Sequence, residues 1–197
     1  MDFSIIVGFL FLAFPAYFTP GPNNLMLMTS TAKFGFVKTI PHGIGIALGF
    51  PFLVFIIGLG LGEIFSLYPI LKVILKYLAA AYFLYMAYNL LGLKIGDVVG
   101  SERPMKLYEA AIFQWINPKA WAMGVSFVGV FVVSGEGRFT SLIILTLGVF
   151  AMSPLSTIFW MLFGKQLQLL LKRTGNERFL GIIMALLMIL AVILFLL

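Results

Sequence analysis

Two polar clusters that contain proline interrupt a sequence that is otherwise almost wholly apolar. The first cluster follows the first apolar run and consists of Pro20, Gly21, Pro22, Asn23 and Asn24. Proline lacks a backbone donor and clashes with the carbonyl four residues back, so each proline frees a carbonyl in the preceding turn. Glycine permits a sharp turn, and asparagine amides both donate and accept. We therefore expect an interrupted helix with free carbonyls on one side and a new helix N-terminus, which favours an anion, on the other.

The second cluster lies in the fourth apolar run and consists of Gln114, Asn117, Pro118 and Lys119. A charge inside a membrane is costly and usually faces the protein interior, where it meets a partner. No Asp or Glu stands at the centre of any apolar run. The pattern therefore predicts that the partner of Lys119 is a ligand, and that the ligand carries a carboxylate.

Each cluster also has a simpler interpretation. A helix that begins at Phe3 reaches Pro20 after about 25 Å, near the cytoplasmic edge of a roughly 30 Å hydrocarbon core. The first cluster is then a kink or the end of the first helix. A helix that begins at Phe113 places Lys119 only about 9 Å deep, from where its ammonium could extend to the interface. On either interpretation, both clusters fall in the cytoplasmic half of the membrane.

Three titratable side chains near the ends of apolar runs are candidates for carrying protons: His42, Glu63 and Glu109. Hydroxyl side chains surround the proline of the fifth run, Pro154, and these are Ser153, Ser156 and Thr157. Because proline frees a backbone carbonyl, we interpret these hydroxyls as satisfying the main chain.

The composition is that of a protein whose solvent is lipid. Apolar residues make up 62% of the 197 residues and charged residues only 10%, against about 25% charged in soluble domains. The chain has no cysteine, which excludes disulfides and thiolate metal sites. The net charge of +6 lies between the apolar runs, where it sets membrane orientation, so we expect no nucleic-acid partner. We also expect no metal, no cofactor and no enzyme activity.

Six apolar runs are long enough to cross a bilayer, which predicts an all-α polytopic membrane protein. They are 3–28, 40–62, 65–91, 107–133, 140–163 and 179–197. The polar loop 93–106 separates a first three-helix half, 1–92, from a second, 107–197. Two halves with an odd number of helices run in opposite directions through the membrane, so we expect a 3+3 inverted repeat with helices 1 and 4 interrupted.

The loops predict the orientation of the chain and the glycines predict close packing. Lys and Arg are concentrated in the first, third and fifth loops, which places those loops in the cytoplasm and both termini outside. The first run lacks a basic n-region and a small-residue cleavage site, so we expect it to be retained. The pairs Gly45/Gly49 and Gly58/Gly62 permit close helix approach. Packing within the bundle is the favoured interpretation, and a homodimer seam is the other.

The stretch from Pro20 to Gly49, together with Asn117, Pro118 and Lys119, resembles the LysE/RhtB family of bacterial amino-acid exporters. Those proteins carry a Pro-Gly-Pro near the end of helix 1, a glycine-rich helix 2 and an Asn-Pro-Lys in helix 4. The resemblance covers essentially the whole chain. It implies gradient-driven export of amino acids or their derivatives across the bacterial inner membrane, with substrate contacts at both clusters.

From these residues we expect a secondary transporter that works by alternating access. The cation of Lys119 and the broken helix 1 would hold a substrate carboxylate, and the freed carbonyls and asparagine amides would hold its ammonium. Two other functions remain open from the sequence: an exporter of metal or other inorganic ions, against which the missing membrane carboxylates argue, and a non-transporting membrane subunit in which both breaks are packing kinks.

Overall fold

The computed structural model describes residues 3–19, 21–61, 70–91 and 103–174, together with positions 67, 68, 182, 185, 186, 189 and 193. These residues are helical and include no strand, which confirms the all-α class. The α-helices are α1 (Phe3–Phe18), α2 (Pro22–Phe34), α3 (Phe36–Ile56), α4 (Ile70–Leu91), α5 (Leu107–Phe113), α6 (Pro118–Phe131) and α7 (Arg138–Thr174). A π-helical segment, Ile57–Leu61, continues α3, and a 3₁₀ turn, Gly135–Gly137, precedes α7.

The first predicted helix is interrupted where its sequence is most polar. Helix α1 ends at Phe18 and α2 begins at Pro22, with Gly21 extended between them (φ −171°, ψ 174°). Proline suits this start, because the first helical position needs no backbone donor. Pro20 lies outside the described residues. The chain then stays helical for 13 residues, as far as Phe34, which is about 20 Å.

The helical path of the first apolar run does not stop at this break, because α2 follows it. The depth of the break in the membrane stays a prediction. The ring of Tyr17, next to the break, meets that of Phe50, in the last third of α3, at 5.7 Å. The backbone carbonyl of Tyr17 accepts a hydrogen bond from Ser156, in the middle of α7.

The second predicted interruption is also present. Helix α5 ends at Phe113, and a turn formed by residues 114–116 leads to α6. The side chain of Asn117 caps α6 by accepting a hydrogen bond from the backbone N–H of Lys119 at 3.1 Å. Pro118 occupies the first turn, where it is tolerated. Both interruptions thus have the same form, since a new helix begins at a proline.

Glycines in α3 allow α5 to pack directly against its backbone. A methyl group at Gly49 would lie 2.6 Å from the Cα of Ala111, and one at Gly45 would meet the carbonyl of Leu107. This pair therefore packs within the chain, as the favoured interpretation has it. Gly58 packs against a leucine of α7, and Gly62 lies outside the described residues. A homodimer seam stays a prediction.

The outer surface and the helix lengths are typical of a protein in lipid. Among the described residues, two helical segments are long and apolar enough to cross a membrane, Phe36–Gly60 and Gly135–Leu170. Large apolar side chains point outward, with Phe11 on α1 exposed by 83%. The predicted sixth run, 179–197, is described only at isolated positions, and most of the connecting loop, 93–106, lies outside the described residues. The six spans, the inverted repeat and the division into halves stay predictions.

Candidate functional site

Two helix N-termini face one cleft in the interior of the protein. Gly21 precedes α2 and Asn117 precedes α6, and both residues line the same cleft, which has a volume of about 40 Å³. The N-terminus of a helix carries partial positive charge, because its first backbone N–H groups have no partner within the helix. The two breaks therefore direct positive potential into the same space, which suits an anionic group.

Lys119 adds a full positive charge to this cleft. Its Nζ donates to the main-chain oxygen and to the hydroxyl of Thr19, each at 2.9 Å. Its side chain lies against Gly21, where an added methyl group would be 2.7 Å from Cδ and 2.9 Å from Nζ. The side chain thus lies in the break of α1. No described carboxylate pairs with Lys119.

Carbonyls at the end of α1 are already bonded to side chains. Asn24 Nδ2 donates to the carbonyls of Tyr17 and Thr19, both at 2.9 Å. The carbonyl of Tyr17 also accepts from Ser156 Oγ at 2.9 Å and from Trp160 Nε1 at 3.5 Å. The carbonyls of Tyr17 and Thr19 are therefore occupied within the protein, whereas the expectation that carbonyls freed by the prolines hold a substrate ammonium stays a prediction.

A hydrogen-bonded pair of amides, of which that of Gln114 is fully buried, joins the two breaks. Asn23 Nδ2 donates to Gln114 Oε1 at 2.7 Å, and Gln114 Nε2 approaches Asn23 Oδ1 at 3.4 Å. Gln114 Nε2 also donates to the carbonyl of Ala110 at 2.8 Å. Gln114 is completely buried. It therefore positions Asn23 and the turn that follows α5.

The predicted site residues divide into those that line the cleft and those behind it. The lining residues among them are Gly21, Asn23, Asn24, Asn117 and Lys119. Pro22, Gln114 and Pro118 are buried and are not among the lining residues. Pro20 lies outside the described residues.

The cleft also contains polar residues that were not assigned to it from the sequence. Tyr17, Ser153, Ser156 and Thr157 line it. Helix α7 continues through Pro154 without a break, which brings this hydroxyl cluster level with the break of α1. The remaining wall is apolar, with Ile46, Phe50 and Met123 among its side chains. The signal that could have found the hydroxyls is their concentration at the centre of an apolar run.

Two of the candidates for carrying protons, His42 and Glu109, are not among the described residues that line the cleft. His42, on α3, is 2% exposed, and its Nδ1 has no hydrogen-bond partner in the described part of the chain. Glu109 accepts from both terminal nitrogens of Arg103, at 2.6 and 2.8 Å, and from the backbone N–H of Lys106 at 2.8 Å. Glu109 therefore caps α5. Glu63 lies outside the described residues.

Within the described residues, no three His, Cys, Asp or Glu side chains are grouped so that they could hold a metal ion. The polar groups of the cleft are instead an ammonium, amides and hydroxyls. This set suits a small polar organic molecule that offers both hydrogen-bond donors and acceptors.

Comparisons with known proteins give one family and a set of distant relatives. The family described as LysE type translocator matches residues 6–197. A cysteine/O-acetylserine efflux protein of Salmonella choleraesuis is 26% identical over 174 residues, covering 87% of each chain. Proteins of the same name from Klebsiella pneumoniae and Escherichia coli O139:H28 are 24% and 25% identical, with 88% and 87% of this chain covered and 89% and 87% of theirs. No solved structure matches.

Proposed function

Because the chain belongs to the LysE type translocator family, a family of membrane transport proteins and not of enzymes, we propose that it exports small amino acids or their derivatives from the cytoplasm. The observation that carries the proposal is the position of Lys119, a cation without a described carboxylate partner, in a cleft that two helix N-termini face. A substrate carboxylate is the complement of this positive potential.

The relatives support a small substrate. They are named for the efflux of cysteine and O-acetylserine, which are uncharged in their side chains. The residues that line the cleft include no carboxylate, and a cationic side chain would lack an ionic partner there. Neutral amino acids are therefore the proposed substrates.

Transport requires that the cleft open to each side of the membrane in turn. In our proposal the chain is a protein of the bacterial inner membrane with six spans, two inverted three-helix halves and both termini outside. Lys119 and Gln114 come from the second half, and they contact Thr19 and Asn23 of the first half. Rocking of one half against the other would open and close the space between these partners.

An ion gradient would drive export, and His42 is the proposed proton carrier. Of the two candidates in the described residues it is the buried one, and its Nδ1 lacks a partner there. Imidazole can take up and release a proton, as a proton-coupling group must. Glu109 is held by Arg103 and caps α5, a structural use of its carboxylate.

Counterflow in reconstituted vesicles tests the proposed function. Vesicles that contain the purified protein and are loaded with unlabelled amino acid should take up the same labelled amino acid faster than protein-free vesicles. The panel includes cysteine, O-acetyl-L-serine, serine and lysine, with zinc and phosphate as inorganic probes. Counterflow of neutral amino acids alone supports the proposal. Counterflow of an inorganic ion alone supports the ion exporter, and none at all supports the non-transporting subunit.

A further inference from the structure

The wall of the cleft that α7 forms offers hydrogen-bond acceptors, whereas the wall that carries Lys119 offers donors. Each hydroxyl has one hydrogen to donate and two lone pairs that accept. Ser156 Oγ donates its hydrogen to the carbonyl of Tyr17 at 2.9 Å, and Thr157 Oγ1 donates to the carbonyl of Pro154 at 3.0 Å. Both side chains line the cleft. Since their hydrogens are committed, they offer a ligand only acceptor oxygens.

Asn24 extends this acceptor wall toward Lys119. Its Nδ2 donates to the carbonyls of Tyr17 and Thr19, so both of its hydrogens are committed and Oδ1 is the part of the amide left for a ligand. Asn24 shares the carbonyl of Tyr17 with Ser156, and it shares the carbonyl of Thr19 with Lys119. The acceptor wall and the cation are therefore neighbours in the cleft, joined through one asparagine.

Next to Asn24, the ammonium of Lys119 and the N-terminus of α2 offer hydrogen-bond donors. The ammonium of Lys119 has three hydrogens, and Thr19 takes two of them. The N-terminus of α2 adds backbone N–H groups at Asn23 and Asn24. The cleft thus has a donor side and an acceptor side next to each other. An α-amino acid has the matching arrangement, since its carboxylate and its ammonium are attached to one carbon atom.

We propose that Ser156, Thr157 and Asn24 Oδ1 form a subsite for the α-ammonium group of the substrate. This inference rests on the proposed function and specifies its substrate class: α-amino acids with an unmodified ammonium group and a small, uncharged side chain. The side chain lies toward the apolar wall of Ile46 and Phe50. Acids whose nitrogen is acylated are rejected, because an amide nitrogen has neither the charge nor the three donors that this wall complements.

Thr157→Val tests the subsite, because it removes the hydroxyl and keeps the shape. The half-saturating concentration of L-serine in counterflow should rise about tenfold, the equivalent of one hydrogen bond to a charged group. We expect N-acetyl-L-serine to compete with L-serine in the wild type only at high concentration, and Thr157→Val should not raise that concentration further. Thr157→Ser restores the acceptor and should restore the wild-type values.

Thr146→Val is the matched control. Thr146 is also on α7 and donates to a carbonyl one turn earlier, that of Leu142, at 2.8 Å, but it is not among the residues that line the cleft. It should leave L-serine counterflow unchanged. Two outcomes would overturn the subsite alone. One is an equal effect of the two valine variants on L-serine counterflow. The other is a rise in Thr157→Val of the competing concentration of N-acetyl-L-serine that matches the rise in the half-saturating concentration of L-serine. Absence of counterflow for every amino acid in the wild type would overturn the proposed function as well.

Discussion

The ammonium of Lys119 donates to the carbonyl and to the hydroxyl of Thr19, each at 2.9 Å, although the two residues are 100 positions apart in the chain. This contact joins the start of α6 to the broken end of α1. It holds the positive charge of Lys119 at the break of α1. A carboxylate that enters the cleft would compete with Thr19 for the same ammonium, so we expect substrate binding to be coupled to release of this contact.

Gly21→Ala tests whether the position of Lys119 matters. The backbone at Gly21 is extended, which any residue can adopt, but the new methyl group would overlap the Lys119 side chain at Cδ and Nζ. We expect a folded protein in which Lys119 is displaced. Efflux of the preferred amino acid should fall about tenfold or more, as for loss of a charged hydrogen bond.

Gly129→Ala is the control for that variant. Gly129 is in α6, and an added methyl group meets no heavy atom within 4 Å there. Melting in detergent and membrane insertion should be near wild type in both variants, and efflux should fall only in Gly21→Ala. Full efflux by a properly inserted Gly21→Ala protein would show that Lys119 need not occupy its present place.

Gln114→Leu tests the structural role of the amide pair between the two breaks. The variant keeps the volume but leaves Asn23 Nδ2 and the carbonyl of Ala110 without their present partners. The free energy of unfolding should fall by about 1–3 kcal/mol, the cost of unsatisfied buried polar groups. Thermal melting in detergent measures it, with the exposed Gln166→Leu as control. Equal melting temperatures for the two variants would contradict the role.

His42→Gln separates coupling from transport. Counterflow needs no net driving force, so it should persist in the variant, since His42 is not among the residues that line the cleft. Export driven by an imposed pH gradient should be lost, because glutamine cannot carry a proton. Measurement of both activities in the same vesicle preparation supplies the control. Undiminished pH-driven export would remove His42 from the coupling mechanism.

The two breaks could be predicted from the sequence because their cause is local. Proline removes a backbone donor wherever it stands, but α7 continues through Pro154 without a break. The interruptions before Pro22 and Pro118 are marked as well by the polar residues beside each proline. The length of α2 was not predicted, because the apolar run ends at residue 28 whereas the helix continues to Phe34 and ends only at Gly35.

The acceptor wall was not predicted for a different reason. Hydroxyls next to Pro154 have an adequate local explanation, and Thr157 does bond to the carbonyl of Pro154. That they also line the cleft depends on the packing of α7 against the break of α1, a contact between residues such as Tyr17 and Ser156 that are 139 positions apart. Sequence spacing along one helix carries no information on that contact.

Lys119→Met is the variant that tests the central claim most directly, because it removes the cation and keeps an unbranched side chain. Counterflow of the preferred neutral amino acid is measured in vesicles with equal amounts of inserted protein. Lys165→Met, at an exposed position of α7, is the matched control. We predict that counterflow is abolished in Lys119→Met and retained in Lys165→Met. Counterflow at the wild-type rate in Lys119→Met would contradict the claim that Lys119 binds the substrate carboxylate.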